Sequence, residues 1–546
     1  MRLSALAADL PYRRAGAPGD PEILAVTHDS RAAKRGTLFA ALPGLKSDGR
    51  RFVGDAVARG AVAALGLAPA PDATAVPYLE VENPRRSAGL VASRLAGHPS
   101  ERLVMAGVTG TSGKTTTAYL LDGLFACRHP ERGLFGTIVY RGAGTAAIPA
   151  PHTTPEATEL QPLLAGLVAG GGTAAVLECS SHALVLERLA GCSFDVAIFL
   201  NLSRDHLDFH RDMDDYFEAK LRLFSMLKPG GKAVVNLADE YGLRLASRLD
   251  ARRTVGFFLE GEEGRQARQV ASSAPRGTGE ALARDPSKNL LSLVVGRAKV
   301  GLEGTKLSVN VRSPFTFEEN ANPTQAPAKR HGTEPTEALL TINSPLLGRP
   351  NAENLLAAAA AGVALGLTPA EIVTGLESVT SVPGRLERIE NARGFTVLVD
   401  YAHKPAALEG VLRTVRPIAA AGRGRVIAVF GCGGDRDKGK RPEMGRIAAQ
   451  LADEVVVTSD NPRSEEPEAI LRDVRAGVEA AGKSARYVAD RREALAEAFA
   501  LARAGDVVLV AGKGHETSQI VGGRELPFDD RLVARELLEE RKKAAR

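Results

Sequence analysis

Leu103-Val104-Met105-Ala106-Gly107-Val108-Thr109-Gly110-Thr111-Ser112-Gly113-Lys114-Thr115-Thr116 is the stretch that decides the fold around it. Residues 103–108 are apolar and read as a buried strand, and a helical run continues through Leu124, so the glycines fall in a strand-to-helix turn. Such a turn lets backbone N–H groups approach phosphate, while the helix N-terminus adds positive potential. Gly110, Thr111, Ser112, Gly113, Lys114, Thr115 and Thr116 are therefore the candidate ATP-binding residues, with Lys114 reaching the terminal phosphates and a threonine hydroxyl on Mg²⁺. The commonest phosphate-loop pattern has glycine where this chain has Val108. The loop predicts an NTPase or kinase and does not say which.

Outward from this loop, apolar segments at 173–177 and 196–200 alternate with amphipathic helices, which predicts a parallel sheet covered on both faces. Upstream, residues 22–26 and 37–42 read as strands and 53–65 as helix, a small α/β module closed by His98-Pro99-Ser100. Downstream, Gly, Ser, Pro, Gln and charged residues dominate about 260–288 and 313–337, which read as polar insertions without a catalytic role. Order resumes at 338–342 and in an Ala-rich helix at 352–362. A third α/β segment follows, with strands at 396–399, 425–430, 454–458 and 506–511. The expected fold class is α/β in three domains: 1–99, 100–382 carrying the insertions, and a Rossmann-like 383–546.

Size and composition agree, since 546 residues exceed what one core organises, at about 150 residues per domain. A net charge of +5, with arginines interleaved among acids, favours anionic small substrates over nucleic acid. No apolar run approaches the ~20 residues that span a bilayer, and residues 1–11 lack the features of a signal peptide, so a cytoplasmic protein is expected. Cys127, Cys179, Cys192 and Cys432 form no metal-binding spacing and read as buried reduced thiols.

Two polar loops sit at strand ends, where parallel sheets place working residues. Glu178 closes one strand just before Cys179-Ser180-Ser181-His182, and Asn201-Leu202-Ser203-Arg204-Asp205-His206-Leu207-Asp208-Phe209-His210 follows another. Glu178 reads as a Mg²⁺ ligand. Beyond them, Lys220 lies in Tyr216-Phe217-Glu218-Ala219-Lys220 on an amphipathic helix and by itself reads as a solvated lysine.

The loop Gly107-Val108-Thr109-Gly110-Thr111-Ser112-Gly113-Lys114-Thr115-Thr116 resembles that of the Mur ligases and folylpolyglutamate synthetases. The resemblance implies that Lys114, Glu178, His206 and Lys220 are catalytic. It makes Thr115, Glu178 and His206 magnesium ligands, and Lys220 a further ligand as its carbamate (N6-carboxylysine). The implied chemistry is phosphoryl transfer from ATP to a carboxylate, giving an acyl phosphate that a neutral amine attacks.

The resemblance extends over nearly the whole chain outside the polar stretches. Thr27-His28-Asp29-Ser30-Arg31 is similar to a uridine-binding segment, with Ser30 at the UDP end. Thr153, Thr154, Ser180 and Arg188 look like muramoyl-dipeptide contacts, and Leu186 stands where some members have glutamine. Asn354, with Asn351 near it, and Arg385 and Asp400 match positions around ATP. Asp460-Asn461-Pro462-Arg463, together with Arg436, Gly512 and Glu516, resembles a meso-diaminopimelate site, because an arginine suits the carboxylate that L-lysine lacks.

The implied reaction is addition of meso-2,6-diaminopimelate to the D-Glu of UDP-N-acetylmuramoyl-L-alanyl-D-glutamate, with ATP and Mg²⁺, by a monomer. The alternatives are the same reaction with L-lysine, a folylpolyglutamate synthetase-like ligase, and a nucleotide-gated scaffold without turnover.

Overall fold

The computed structural model describes all residues except 45–46, 72–73, 143–145, 261–291, 302, 314–335 and 545–546. The insertions expected at about 260–288 and 313–337 thus lie almost wholly outside the described residues. Two compact units are present: Met1–Gly296, Val309–Leu340 and Asn354–Leu376 form the first, and Arg297–Ser308, Thr341–Glu353 and Glu377–Arg546 the second.

The first unit holds two sheets. Its amino-terminal sheet has five strands in the order Arg13–Gly16, Pro77–Glu80, Ala61–Gly66, Thr37–Ala41, Ala25–Thr27, parallel except for the first. The helix expected at 53–65 is instead a short helix, Val53–Ala58, followed by the strand Ala61–Gly66. Gly60 ends the helix, and the Ala-rich segment after it is almost fully buried inside the sheet, where small apolar residues pack as readily as in a helix.

Eight adjacent strands of the eleven-stranded central sheet run in the order Thr254–Leu259, Leu227–Asn236, Phe194–Phe199, Val104–Thr109, Ala174–Glu178, Arg132–Phe135, Val139–Arg141, Ile148–Pro149, parallel until the last two. The strand leading into the glycine-rich turn is therefore central, and register pairs Val108 with Glu178 and Thr109 with Phe199. Both polar loops accordingly leave the sheet beside the phosphate loop. Met105, Leu177, Phe199, Phe217 and Leu223 fix this arrangement in one buried cluster.

A six-stranded sheet organises the second unit, in the order Glu387–Ile389, Thr396–Asp400, Val507–Ala511, Val426–Cys432, Glu454–Ser459, Arg486–Tyr487, with only the first pair antiparallel. Helices Pro405–Ala421, Lys440–Leu451 and Pro467–Ala480 cover one face, and Arg491–Leu501 and Asp530–Ala544 the other. This is the mostly parallel α/β architecture that the sequence predicts.

Cys179, Cys192 and Cys432 are buried, and burial pushes the Cys192 and Cys432 thiols up to about 12. Cys127 is exposed, contrary to expectation, because it is the terminal cap of helix Lys114–Ala126, where the chain returns to the surface. Among the described residues no helix is long and apolar enough to cross a membrane.

Candidate active site

Helix Lys114–Ala126 starts directly from the loop, and Gly113 precedes it at φ 85°. A Cβ there would be strained, and it would also overlap Asn354 Oδ1, which approaches the loop in the same unit. Lys114 Nζ curls back to donate to the carbonyls of Gly110 (2.8 Å) and Thr111 (3.0 Å). Asn201 holds the other side: its Oδ1 accepts from the N–H groups of Thr111 (3.1 Å) and Ser112 (2.9 Å). The loop is thereby braced from both sides, with the Thr111 and Ser112 amides occupied by Asn201.

Glu178 is buried at its strand end and receives three donors. Thr115 Oγ1 lies 3.0 Å from Oε2, Thr137 Oγ1 3.0 Å from the same oxygen, and Thr137 N 2.8 Å from Oε1. Thr137 also reaches Thr153 Oγ1 at 3.2 Å, and Thr154 Oγ1 donates to the Glu178 carbonyl at 2.7 Å. Ser180 caps the helix Ser181–Val185 and lies 3.4 Å from Thr154. Arg188 donates to the Thr154 carbonyl at 3.0 Å and pairs with Glu156, which also pairs with Arg85 of the amino-terminal module. Four of the five expected dipeptide residues thus adjoin Glu178. Ser30 does not: its hydroxyl bonds to Asp55 inside the amino-terminal module.

Lys220 is not solvated. Helix Met213–Leu221 turns it inward to 1% exposure, where its Nζ sits 4.4 Å from the Tyr216 ring centroid and donates to the Gly110 carbonyl at 2.9 Å. Burial, and after it the Lys114 charge, lowers its pKa well below the ordinary lysine value. His206, at φ 56°, stands edge-on to His182 with ring centroids 4.8 Å apart and lies 6.1 Å from the Tyr216 ring. Tyr216 OH in turn meets Thr111 Oγ1 at 3.2 Å, which ties the histidine loop to the phosphate loop.

Among the described residues no three His, Cys, Asp or Glu side chains group as a metal cage. Thr115 and Glu178 nonetheless offer adjacent hard oxygens, the donor type that Mg²⁺ takes in small number beside phosphate and water.

In the second unit, both Asp400 carboxylate oxygens accept backbone N–H groups, from Leu386 (2.8 Å) and Ala402 (2.9 Å), and burial raises the Asp400 pKa. Arg385 stands over the Tyr401 ring at 5.2 Å. Beyond the neighbouring strand ends, Asn461 Nδ2 donates to Glu516 Oε2 at 3.0 Å, and the fully buried Lys513 donates to that oxygen (3.0 Å) and to Asn461 Oδ1 (3.3 Å). Burial pushes the Glu516 carboxyl up, but Lys513 and Asn461 outweigh it and hold it below its usual value. Asp460, with Gly512 beside it, is buried and raised by burial. Arg463 binds the Gly434 carbonyl through Nη1 at 2.7 Å, leaving its Nε and Nη2 edge unbonded among the described residues. Arg436 is exposed next to Gly433. All seven residues expected to hold the amino acid therefore follow the carboxyl ends of three adjacent interior strands, Val507–Ala511, Val426–Cys432 and Glu454–Ser459.

Comparison with known proteins adds the family. The pattern described as "Mur ligase family, catalytic domain" matches residues 22–94, "Mur ligase middle domain" 108–300, and "Mur ligase, glutamate ligase domain" 384–514. The chain is 42% identical to a UDP-N-acetylmuramoyl-L-alanyl-D-glutamate--2,6-diaminopimelate ligase of Geobacter metallireducens, covering 97% of both chains.

The chain belongs to the Mur ligase family.

Ligases of the same name from Solibacter usitatus (40% identical, covering 97% and 96%) and Streptomyces avermitilis (42%, covering 95% and 93%) are similar to this Mur ligase. A solved ligase of that name superposes with a TM-score of 0.62 at 29% identity over 99% of both chains. MurF from Acinetobacter baumannii, at 18% identity and a TM-score of 0.56, shares the fold.

Several residues of this Mur ligase's site escaped the sequence reading. Thr137 carries two of the three bonds to Glu178, and its signal was the preceding Gly136, where a Cβ would overlap Glu178 Oε1. Asn201 opens the polar loop singled out for its neighbours, and Lys513 lies between Gly512 and Glu516, which were named without it. Tyr216 opens the stretch singled out for Lys220.

Proposed function

We propose that the protein is an ATP-dependent ligase that adds meso-2,6-diaminopimelate to the D-Glu carboxylate of UDP-N-acetylmuramoyl-L-alanyl-D-glutamate, in peptidoglycan precursor synthesis. The observation that carries this reading is that relatives of that name match at 40–42% identity over 95–97% of the chain. The unbonded edge of Arg463 supports the choice of amino acid, because a guanidinium edge pairs bidentately with a carboxylate.

In this reading, Gly110–Thr116 cradle the ATP phosphates, with Lys114 leaving the loop carbonyls for the transferring group, while Asn354, Arg385 and Asp400 serve the rest of the nucleotide. The amino-terminal module, through Ser30, takes the UDP end, and Thr153, Thr154, Ser180 and Arg188 hold the dipeptide. Thr115, Glu178 and His206, with Lys220 as its carbamate, would hold Mg²⁺, which when bound neutralises charge on the phosphates.

The dipeptide carboxylate attacks the γ-phosphorus and ADP leaves, giving an acyl phosphate. Glu516, kept ionised by Lys513, takes an ammonium of the amino acid, and Arg436 and Arg463 take carboxylates. The neutral second amine then attacks the acyl carbon, loses a proton and expels phosphate. The acyl phosphate is hydrolysed if water reaches it, so ligation requires water to be excluded until the amine attacks. A monomer acting in the cytoplasm is the expected form.

Protein incubated with ATP, the UDP-linked dipeptide and either amino acid should release phosphate at least about tenfold faster with diaminopimelate than with L-lysine. Faster release with lysine overturns the choice of amino acid. Release that survives Lys114→Ala overturns the assignment of the phosphate loop.

A further inference from the structure

The hairpin after Glu516, a half-buried strand Ser518–Val521 and an exposed strand Arg524–Pro527, carries none of the residues assigned above. Its first strand nevertheless shares three hydrogen bonds, and the turn after it a fourth, with Asp460, Asn461 and Arg463. Gln519 Nε2 donates to the Asp460 carbonyl (2.6 Å) and Ile520 N to Asn461 Oδ1 (3.0 Å). Arg463 N donates to the Ile520 carbonyl (2.9 Å) and Gly522 N to the Arg463 carbonyl (2.7 Å). Arg463 forms a one-residue parallel bridge with Val521, so the motif is an extra rung on the hairpin's outer edge.

Arg463 needs such a hold. Its backbone stands at φ 55°, a left-handed conformation that a non-glycine residue keeps only when its surroundings over-determine it. Both of its peptide groups are fixed by the hairpin, and Nη1 is fixed by Gly434. The direction of its unbonded edge is therefore set from both ends of the residue.

We propose that the Ser518–Pro527 hairpin is a positioning clamp that sets amino acid selectivity by holding Asp460, Asn461 and Arg463, with Gln519 as its specificity-determining side chain. The proposal rests on Arg463 as the residue that selects diaminopimelate. Loosening the clamp should spare ATP use and weaken discrimination by the far carboxylate of the amino acid. Gln519→Ala removes one side-chain bond. Ile520→Pro removes the N–H that points away from the hairpin ladder towards Asn461, a position where a strand tolerates proline. Ser518→Ala breaks only the bond to Glu525 within the hairpin and is the control.

The test measures KM for diaminopimelate, KM for ATP, kcat and the diaminopimelate-to-lysine ratio of kcat/KM in the wild type, these three variants and Arg463→Ala, with melting temperature as a check on folding. We expect Gln519→Ala to raise the diaminopimelate KM about fivefold and Ile520→Pro more than about tenfold, each lowering the ratio in proportion, while ATP KM stays within about twofold. Ser518→Ala should match the wild type. If Arg463→Ala collapses the ratio while Gln519→Ala and Ile520→Pro leave it unchanged, the clamp is wrong and the role of Arg463 stands. If the wild type shows no preference, or Arg463→Ala keeps it, the underlying reading falls and the clamp with it. Equal losses in ATP KM and melting temperature would reduce the hairpin to a structural element and overturn the proposal.

Discussion

Lys114 and Lys220 share one acceptor: both Nζ atoms donate to the Gly110 carbonyl, at 2.8 and 2.9 Å. Two like charges on one oxygen repel, and the relief is loss of a proton from the buried partner, the direction in which burial already drives Lys220. A neutral amine adds to CO₂, forming an N–C bond and releasing one proton, whereas an ammonium cannot.

The protein in ¹³C-bicarbonate should accordingly give a carbamate carbon signal at a pH well below that at which an ordinary lysine becomes neutral. Lys220→Arg should lack it and lose at least roughly a hundredfold in kcat, since an arginine cannot become an anionic ligand. A fully active Lys220→Arg variant would end the carbamate assignment.

Glu178 is held by three donors from Thr115 and Thr137, so Glu178→Gln keeps its shape and loses its charge. The expected outcome is a kcat reduced by about two orders of magnitude or more, with a raised Mg²⁺ requirement and nearly unchanged binding of metal-free ATP. Magnesium titration of ADP release separates this from a folding defect.

Lys513 should govern the pH dependence of amino acid binding. In the wild type Lys513 and Asn461 keep the Glu516 carboxyl below its usual pKa against the opposing effect of burial. In Lys513→Met burial prevails, the pKa rises, and the ammonium-binding carboxylate is lost as pH falls. The diaminopimelate KM of that variant should therefore climb more steeply than the wild type's between about pH 8 and about pH 6, with ATP KM unaffected. Parallel KM profiles in the two proteins would refute the role.

Arg491 and Asp530 form a fully buried pair, with Nε–Oδ1 at 2.7 Å and Nη2–Oδ2 at 2.8 Å, and Arg491 also donates to the carbonyls of Ser459 and Ala511. It thus binds the ends of two site-bearing strands. Asp530→Ala leaves that charge buried and unpaired, and should cost about 3–5 kcal/mol in a urea titration of the second unit. A loss below about 1 kcal/mol would show that water or another group takes over the pairing.

Much of the site was legible because its signals are local. A strand, two glycines and a lysine define a phosphate loop within a dozen residues, and hydrophobic alternation marks which strand ends carry polar loops. The same local reading failed where burial decides. Residues 53–65 read as helix although sheet burial makes 61–66 a strand, and Cys127 read as buried although a helix end exposes it.

The sequence by itself determined the α/β class, the phosphate loop and the chemical type of the residues along the amino acid motif, since side-chain chemistry and short-range periodicity are written residue by residue. Only the tertiary structure decided that Lys220 is buried against Gly110, that Thr137 comes across from the turn after a neighbouring strand to hold Glu178, and that the Ser518–Pro527 hairpin fixes Arg463. The physical reason is that protonation, metal affinity and guanidinium direction depend on distance and solvent exclusion. Those arise between elements 41 to 110 residues apart in the chain, a separation that no local pattern encodes.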